Sequence, residues 1–250
     1  MFKSLIYLAG LVAVATALPA RPSCPPPQHP IKYPYANTTL VTRQVTWTCR
    51  ETSDYTAGDA EHEHGKGIFI TNGDKVARGF YAYQNSCEYM PYKHIWIDAG
   101  ETRFISFPDR WEGRIVRGDD ETNLAGEPQT LATWVEFSLD AQGWIWGDVS
   151  LIRGCDGAVR LWATDGSKVE RGFAKNILVG APRSAYARKP NGACVLKHTE
   201  NSDGSINTAV RDWELKHVGA AHAYVDDAHG NPVIASTNGR FGAHFYPGRP

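Results

Sequence analysis

The chain has 250 residues, with 26 Lys and Arg against 27 Asp and Glu, and a formal net charge of −1 at pH 7. A chain so close to neutral lacks the strongly basic surface that nucleic-acid binding requires, and it has no electrostatic attraction to anionic membranes. Its length fits one all-β domain with an appendage, and a chain of this size buries a core without depending on disulfides.

The first residues, "MFKSLIYLAGLVAVATALPA", have the pattern of a secretory signal peptide. Lys3 precedes an apolar run from Leu5 to Ala15, and small residues flank Thr16, which predicts cleavage after Ala17. The alternative, a membrane helix, is disfavoured because the run is shorter than the roughly 20 residues that cross a bilayer. Cleavage of residues 1–17 removes one Lys and no acid, so the charge moves from −1 to −2. We therefore expect a secreted protein, extracellular or in the cell wall.

Five cysteines follow the predicted cleavage site: Cys24, Cys49, Cys87, Cys155 and Cys194. An oxidising compartment favours disulfides, but an odd count leaves at least one thiol unpaired within the chain, and spacing does not give connectivity. Our interpretation pairs Cys24 with Cys49 and Cys155 with Cys194, leaving Cys87. No CxxC pair occurs, which argues against zinc-ribbon and thioredoxin-like sites.

Residues 18–65 differ from the remainder of the chain. The stretch is rich in proline at its start, which favours extended chain outside sheets, and polar and unpatterned at its end. We interpret it as an N-terminal extension and linker, in which Thr38 to Cys49 has the β-branched composition of one strand. Asn37, in "NTT", is a predicted N-glycosylation site.

Residues 66–250 are predicted to form an antiparallel β-sandwich. From Gly67 onward, short apolar or alternating runs are separated by turn signals such as Asn-Gly and Pro-Asp, which recur every 8 to 12 residues or so. The runs are "GIFITNGD", "ARGFYAYQN", "KHIWIDAG", "TRFISFPD" and "GRIVRGDD". Ala209 to Val218 is the nearest approach to a helical pattern, and it fits a strand equally well.

The stretch "TWVEFSLDAQGWIWGDVSLIRG", residues 133–154, places two acids between tryptophans. Because side chains alternate between the faces of a strand, each half has one apolar face and one face of tryptophan, acid and serine. A five-residue loop from Asp140 to Trp144 would place Glu136 directly opposite Asp148, whereas a three-residue loop would leave the acids one step apart on the same face. Either way, both acids share a surface with Trp134 and Trp146.

Two carboxylates at cross-strand distance, about 5 Å between Cβ atoms, repel one another. One of them should then have a raised pKa unless a cation or metal intervenes. Tryptophan beside acids suits sugars, whose apolar ring faces stack on indole while their hydroxyls donate to carboxylates. The alternative is an ordinary solvated face, or acids tied to arginines or backbone.

The segment "TLATWVEFSLDAQGWIWGDVSLIRG" resembles the "TLAEFTL…YDVSLVDG" segment of thaumatin-like proteins. Residues 67–165 resemble, more narrowly, the small secreted members from filamentous fungi. There a strand of the type "ITFVNND" and a "FP.GW.G" turn precede the acidic hairpin, as "GIFITNGD" and "SFPDRWEGRIVRG" do here. "VGAAHAYVDDAHGNP" is similar to the "PDAYSYAYDD" segment of the family. The resemblance implies a β-sandwich beside an acidic cleft.

The resemblance also implies a set of cleft residues. Glu136 matches the family Glu, Asp148 the first hairpin Asp, and Asp226 or Asp227 the distant Asp. Arg153 replaces the second hairpin Asp, and Glu127 replaces the family Arg. The family's "TGDCGG" region is absent, as are the many disulfides of the plant members. Arg153 is expected to neutralise the cleft in part and to keep the acids ionised, which favours binding over catalysis.

The resemblance implies binding of a cell-wall polysaccharide, a β-1,3-glucan, and a role in the fungal wall or in host interaction. The site would use Glu136, Asp148, Arg153, Glu127, Trp134, Trp146, Asp226 and Asp227. One alternative is a weak endo-β-1,3-glucanase with Glu136 and Asp148 as catalytic residues. The sequence does not assign catalytic roles to them, and it favours a protein that is not an enzyme. The other is an effector that binds a host protein.

No cofactor or metal is expected. His62 and His64, in "DAEHEH", share a face in extended chain, but the polar flanks favour a solvated linker. "GDDET", residues 118–122, lacks the ligand spacing of a calcium loop and is interpreted as a turn.

Overall fold

The computed structural model describes Cys24 and residues 48–61, 65–129 and 131–250. These residues form fourteen strands, two α-helices and a 3₁₀ turn at Arg183–Ala185. The strands are β1 (Asp54–Tyr55), β2 (Gly67–Asn72), β3 (Arg78–Gln84), β4 (Lys93–Ile97), β5 (Thr102–Ser106), β6 (Glu112–Gly118), β7 (Trp134–Leu139), β8 (Ile145–Ser150), β9 (Gly157–Ala163), β10 (Glu170–Gly172), β11 (Tyr186–Arg188), β12 (Cys194–Leu196), β13 (Ile234–Ser236) and β14 (Arg240–Gly248). The helices are α1 (Asp120–Asn123) and α2 (Thr208–His217).

Two sheets pack against each other, which confirms the predicted β-sandwich. The larger has seven strands in the order β1-β4-β3-β6-β7-β8-β13, and the smaller has five in the order β10-β9-β14-β2-β5. Most neighbours are antiparallel, while β1–β4 and β2–β14 are parallel. Alternate apolar residues of both sheets fill the core between them, where the rings of Phe80 on β3 and Phe245 on β14 lie 4.9 Å apart.

The predicted strand runs appear as β2 to β6, and their boundaries follow the turn signals. The hairpin β7–β8 is joined by a five-residue loop, since Leu139 and Ile145 form its last pair. The Asp140 carboxylate accepts the backbone N–H groups of Gln142 and Trp144, and Gly143 takes φ +86°, a conformation that favours glycine. The loop is therefore of the odd length that keeps the two apolar faces together.

The sequence of Ala209 to Val218 fits a helix or a strand equally well. In the structure the segment is helical over most of its length, as α2. The positions that α2 buries include Val210 and Glu214, which lie four residues apart on one face. A glutamate on the buried face interrupts the apolar stripe by which a helix is recognised in a sequence. "GDDET" also contributes to a helical turn, α1, whose first turn is capped by the Asp119 side chain.

The predicted disulfide pairing is wrong. Cys24 is bonded to Cys194, Cys49 is bonded to Cys87, and Cys155 is the free, buried thiol. The backbone of Cys155 pairs with Leu196 rather than with Cys194, and its side chain enters the core. The two disulfides join partners 170 and 38 positions apart, so distance along the sequence does not decide which cysteines meet.

Part of the predicted linker packs on the sandwich. β1 pairs with β4, and the Asp59 carboxylate accepts bonds from Lys93 Nζ, at 2.8 Å, and from Ser106. The signal peptide at residues 1–17, the glycosylation site Asn37, most of the strand predicted at residues 38–49, and His62 and His64 lie outside the described residues. Of the described helices, none is long and apolar enough to cross a membrane.

Candidate functional site

Four side chains form a row across the outer face of the seven-stranded sheet. Backbone pairing places Tyr83 opposite Arg114, Arg114 opposite Glu136, and Glu136 opposite Asp148. The row crosses β3, β6, β7 and β8 in that order. The two acids are therefore directly opposite each other, as a five-residue loop predicts.

The acid pair lies on the floor of a groove of about 290 Å³. Glu112 and Asn85 also line it, as do Ser138, Trp146 and Val233. Gly147, on the same strand, faces the other way, and a Cβ atom there would meet the ring of Phe241 of the opposite sheet at 2.9 Å. The groove is thus built on a part of the sheet whose underside is tightly packed.

Burial dominates the electrostatics of the acid pair. It raises the pKa of Asp148 to about 8, and the charge of Glu136 adds to the shift. Burial also raises the pKa of Glu136, although a hydrogen bond with Ser150 and the charges of Arg114 and Arg153 lower it. The expectation that Arg153 keeps the acids ionised is therefore wrong, because loss of hydration outweighs the nearby cations. A pKa of about 8 favours the protonated form of Asp148 at neutral pH.

Asp148 also has an unsatisfied atom. Its side chain is 8% exposed, and its Oδ1 atom is buried without a hydrogen-bond partner. A buried polar atom without a partner costs about 1–3 kcal/mol. The atom lies beneath the surface of the groove, so a ligand reaches it only if the Asp148 side chain turns outward.

Arg114 is the site residue that the sequence analysis missed. Its guanidinium lies 4.2 Å from the ring centre of Trp134 and 5.1 Å from that of Tyr83, and its Nη2 forms an ion pair with Glu88 at 2.5 Å. Glu88 follows Cys87, so the Cys49–Cys87 disulfide anchors the segment that holds this arginine. Alternation in "EGRIVRG" offered a signal, since Glu112, Arg114 and Val116 share the outer face.

Trp134 and Trp146 have different surroundings although they share a face. Trp134 lies beneath Arg114 and packs against the buried cluster formed by Tyr81, Tyr83, Val116 and Ala132, outside the groove. Trp146 lines the groove and is 41% exposed. Only the second of these two rings is accessible to a ligand in the groove.

Asp226 and Asp227 differ in burial and in the groups with which they interact. The Asp226 carboxylate is buried and accepts bonds from the Ala228 N–H and from His229 Nδ1 within its own turn. Asp227 is exposed, and its charge raises the pKa of Glu136, as it also does that of Tyr224. Of the two, Asp227 is the one whose charge acts on Glu136.

Glu127 is exposed on the loop after α1 and is not among the residues that line the groove. Arg153 lies beyond the end of β8 and acts on Glu136 by its charge. The groove is thus lined by Glu136, Asp148 and Trp146, and the charges of Arg153 and Asp227 act on Glu136. Glu127, Trp134 and Asp226 are not among the residues that line it.

No family model matches the chain, and no curated protein matches it. Among solved structures, the thaumatin-like xylanase inhibitor TLXI is similar at 12% identity and a TM-score of 0.39, over 72% of this chain and 99% of that one. The protein elicitor MoHrip2 from Magnaporthe oryzae is similar at 11% identity and a TM-score of 0.31, over 52% of this chain and 89% of that one. The β-sandwich is established by the strand order itself.

Within the described ranges, no group of three or more His, Cys, Asp or Glu side chains is placed to hold a metal ion. The charges of two arginine side chains, Arg114 and Arg153, act on Glu136. What the groove offers chemically is a pair of facing carboxyl groups with raised pKa values, neutral polar groups and an exposed indole.

Proposed function

We propose that the protein is a secreted polysaccharide-binding protein and that its groove recognises a neutral cell-wall polysaccharide of the β-glucan type. The observation that carries the proposal is the facing acid pair, Glu136 and Asp148, in a groove that also exposes Trp146. Sugars present hydroxyls and apolar ring faces together, and this groove offers partners for both.

The carboxyl pair supports a hydroxyl-bearing ligand. A carboxyl that keeps its proton donates one hydrogen bond, while a carboxylate only accepts. A pair that contains one of each can both donate a hydrogen bond to a sugar hydroxyl and accept one from it. Glu112 adds a third acid to the groove. Because like charges repel, this acidity favours a neutral polymer over an anionic one.

Extracellular location is part of the proposal. The N-terminal sequence has the pattern of a signal peptide, and the chain has two disulfides. The sequence resemblance to small secreted fungal thaumatin-like proteins agrees with a wall polysaccharide, specifically a β-1,3-glucan, as the ligand.

The experiment is a binding measurement with soluble and insoluble β-1,3-glucan on the wild type and a Glu136→Gln, Asp148→Asn double variant. We expect the wild type to bind and the double variant to lose at least about tenfold in affinity. Each amide replaces an oxygen acceptor by an NH₂ donor, and a ligand hydroxyl left without its partner costs about 1–3 kcal/mol. The matched control is Glu51→Gln with Asp98→Asn, which makes the same chemical changes at exposed positions outside the groove. Equal binding by wild type and double variant would show that the acid pair is not the site.

Hydrolysis is the second candidate, and the raised pKa of Asp148 favours it. Glycosidases need one carboxyl that keeps its proton and a second about 5 to 9.5 Å away. Asp148 supplies the first and Glu136 lies across the strand pair. Incubation with laminarin between pH 4 and 7 should release reducing ends that the double variant does not release. An inert wild type that still binds glucan leaves binding as the function.

A further inference from the structure

The tip of the β7–β8 hairpin exposes two tryptophans side by side. Trp144 and Trp146 are 40% and 41% exposed, their ring centres are 6.1 Å apart, and their planes differ by only 28°. A large apolar side chain that is left in water loses the stabilisation that burial provides, and paired exposed aromatics commonly mark a binding surface.

The pair is held in place by one residue of the loop. Asp140 Oδ2 accepts a 3.0 Å hydrogen bond from Trp146 Nε1, and Asp140 Oδ1 accepts the Trp144 backbone N–H at 2.9 Å. These bonds stabilise the carboxylate and lower the pKa of Asp140. The Trp146 ring and the backbone of Trp144 are therefore fixed before any ligand arrives, which lowers the entropy cost of binding.

The two rings and the acid pair belong to one surface. Trp146 and Asp148 occupy alternate positions of β8, so their side chains leave the same face of the sheet. Trp144, the residue before β8, places its ring 6.1 Å from that of Trp146 and so extends this surface. Trp146 lines the groove beside Glu136 and Asp148. The row from Trp144 to Asp148 is roughly 13 Å long at about 3.3 Å per residue, which exceeds one monosaccharide.

We propose that Trp144 and Trp146 form a stacking platform that binds further sugar units of the same chain whose hydroxyls meet Glu136 and Asp148. This inference rests on the proposed function and specifies its ligand: a chain of at least three β-linked pyranoses with equatorial hydroxyls. Such sugars have flat faces of axial C–H groups, which pack on the electron-rich face of indole. An axial hydroxyl interrupts that face, and the carboxylates of Glu136 and Asp140 disfavour anionic chains.

The test compares affinities for β-1,3-gluco-oligosaccharides of one to six units, measured by calorimetry. For the wild type we expect affinity to rise with length beyond the disaccharide. Trp144→Ala should remove most of that rise and weaken binding of the longest chain about tenfold, while Trp144→Phe should retain part of it. The matched control is Trp96→Ala, because Trp96 is 38% exposed on the outer face of β4 and is not among the groove-lining residues.

Two further arms separate the possible failures. An α-linked mannan with axial hydroxyls and an anionic polygalacturonate should bind the wild type weakly or not at all. If the wild type binds β-glucan through the acid pair but Trp144→Ala keeps the full dependence on length, the platform is refuted and the proposed function stands. If the wild type binds no polysaccharide of any length, both fall together.

Discussion

At the scale of single residues, the site depends on placing two acids where water is scarce. Glu136 and Asp148 face each other across β7 and β8, and burial rather than mutual repulsion is the largest influence on both pKa values. The alternation of side chains in the sequence was enough to predict that the acids share a face. It did not predict burial, because burial depends on loops and on β13, which are distant in the sequence.

The raised pKa of Asp148 predicts a pH dependence of stability. Its pKa is about 8 in the folded chain against an ordinary value of 3.8, so between these values the folded state binds more protons than the unfolded state. The contribution of Asp148 to the free energy of unfolding is therefore fully present at low pH and is lost as the pH rises from about 4 to about 8. Asp148→Asn should remove this fall, so the gain in melting temperature over wild type should grow across that range.

Thermal unfolding followed by circular dichroism at intervals between pH 4 and pH 8 measures the effect of Asp148→Asn. Asp98→Asn serves as the control, since Asp98 is exposed and should show no such trend. A difference between variant and wild type that stays constant with pH would refute the burial of an ionisable Asp148.

At the scale of elements, the best-predicted parts are those whose pattern is local. The strands β2 to β6 and the hairpin β7–β8 follow from alternating runs and turn residues. Helix α2 was ambiguous because its buried face contains Glu214, and the disulfides could not be predicted because their partners meet only in the folded sandwich. Arg114 was missed because one arginine in an alternating strand resembles an ordinary solvated position until the neighbouring strands are known.

Glu214 makes α2 a source of instability. Its side chain is fully buried, both carboxyl oxygens lack hydrogen-bond partners, and burial raises its pKa well above the ordinary value. Glu214→Leu should stabilise the protein by about 1–3 kcal/mol at neutral pH, because it removes an unsatisfied polar group from the core.

Urea unfolding at pH 4.5 and pH 7.5 tests this change. Because the folded pKa of Glu214 is raised, the destabilisation grows as pH rises, and the gain from Glu214→Leu should be larger at pH 7.5. Glu214→Gln separates the two contributions, since it removes ionisation and keeps a polar group. A loss of stability in Glu214→Leu at both pH values would contradict the prediction.

At the scale of the whole molecule, a buried ion triad joins distant parts of the chain. The Asp156 carboxylate, which is 1% exposed, lies 3.1 Å from Lys189 Nζ and 3.4 Å from Arg117 Nη2, and it also accepts the Thr133 N–H. The Asp156 carbonyl accepts the N–H of Arg249, next to the end of β14. One residue thus connects β6 of the larger sheet, the β11–β12 region and the C-terminal strand.

Asp156→Asn should therefore destabilise the whole domain. Removing one charge leaves Arg117 and Lys189 buried without their counter-ion, which costs about 3–5 kcal/mol in comparable cases. Urea unfolding monitored by tryptophan fluorescence measures the loss. Asp109→Asn is the control, because its ion pair with Lys66 lies at the surface and should matter little. Equal midpoints for the two variants would refute the role assigned to the triad.

The free thiol of Cys155 reports local opening of the core, because it reacts only when it becomes exposed. Of the five cysteines, all of them described, it alone is unpaired; it is 0% exposed, and burial and the nearby Glu214 raise its pKa. A thiol that is both enclosed and protonated does not react with alkylating reagents. Covalent labelling of the oxidised protein will therefore occur at one site and only when the core around Cys155 opens. At high reagent concentration its rate equals the opening rate, and at low concentration it reports the population of the open form.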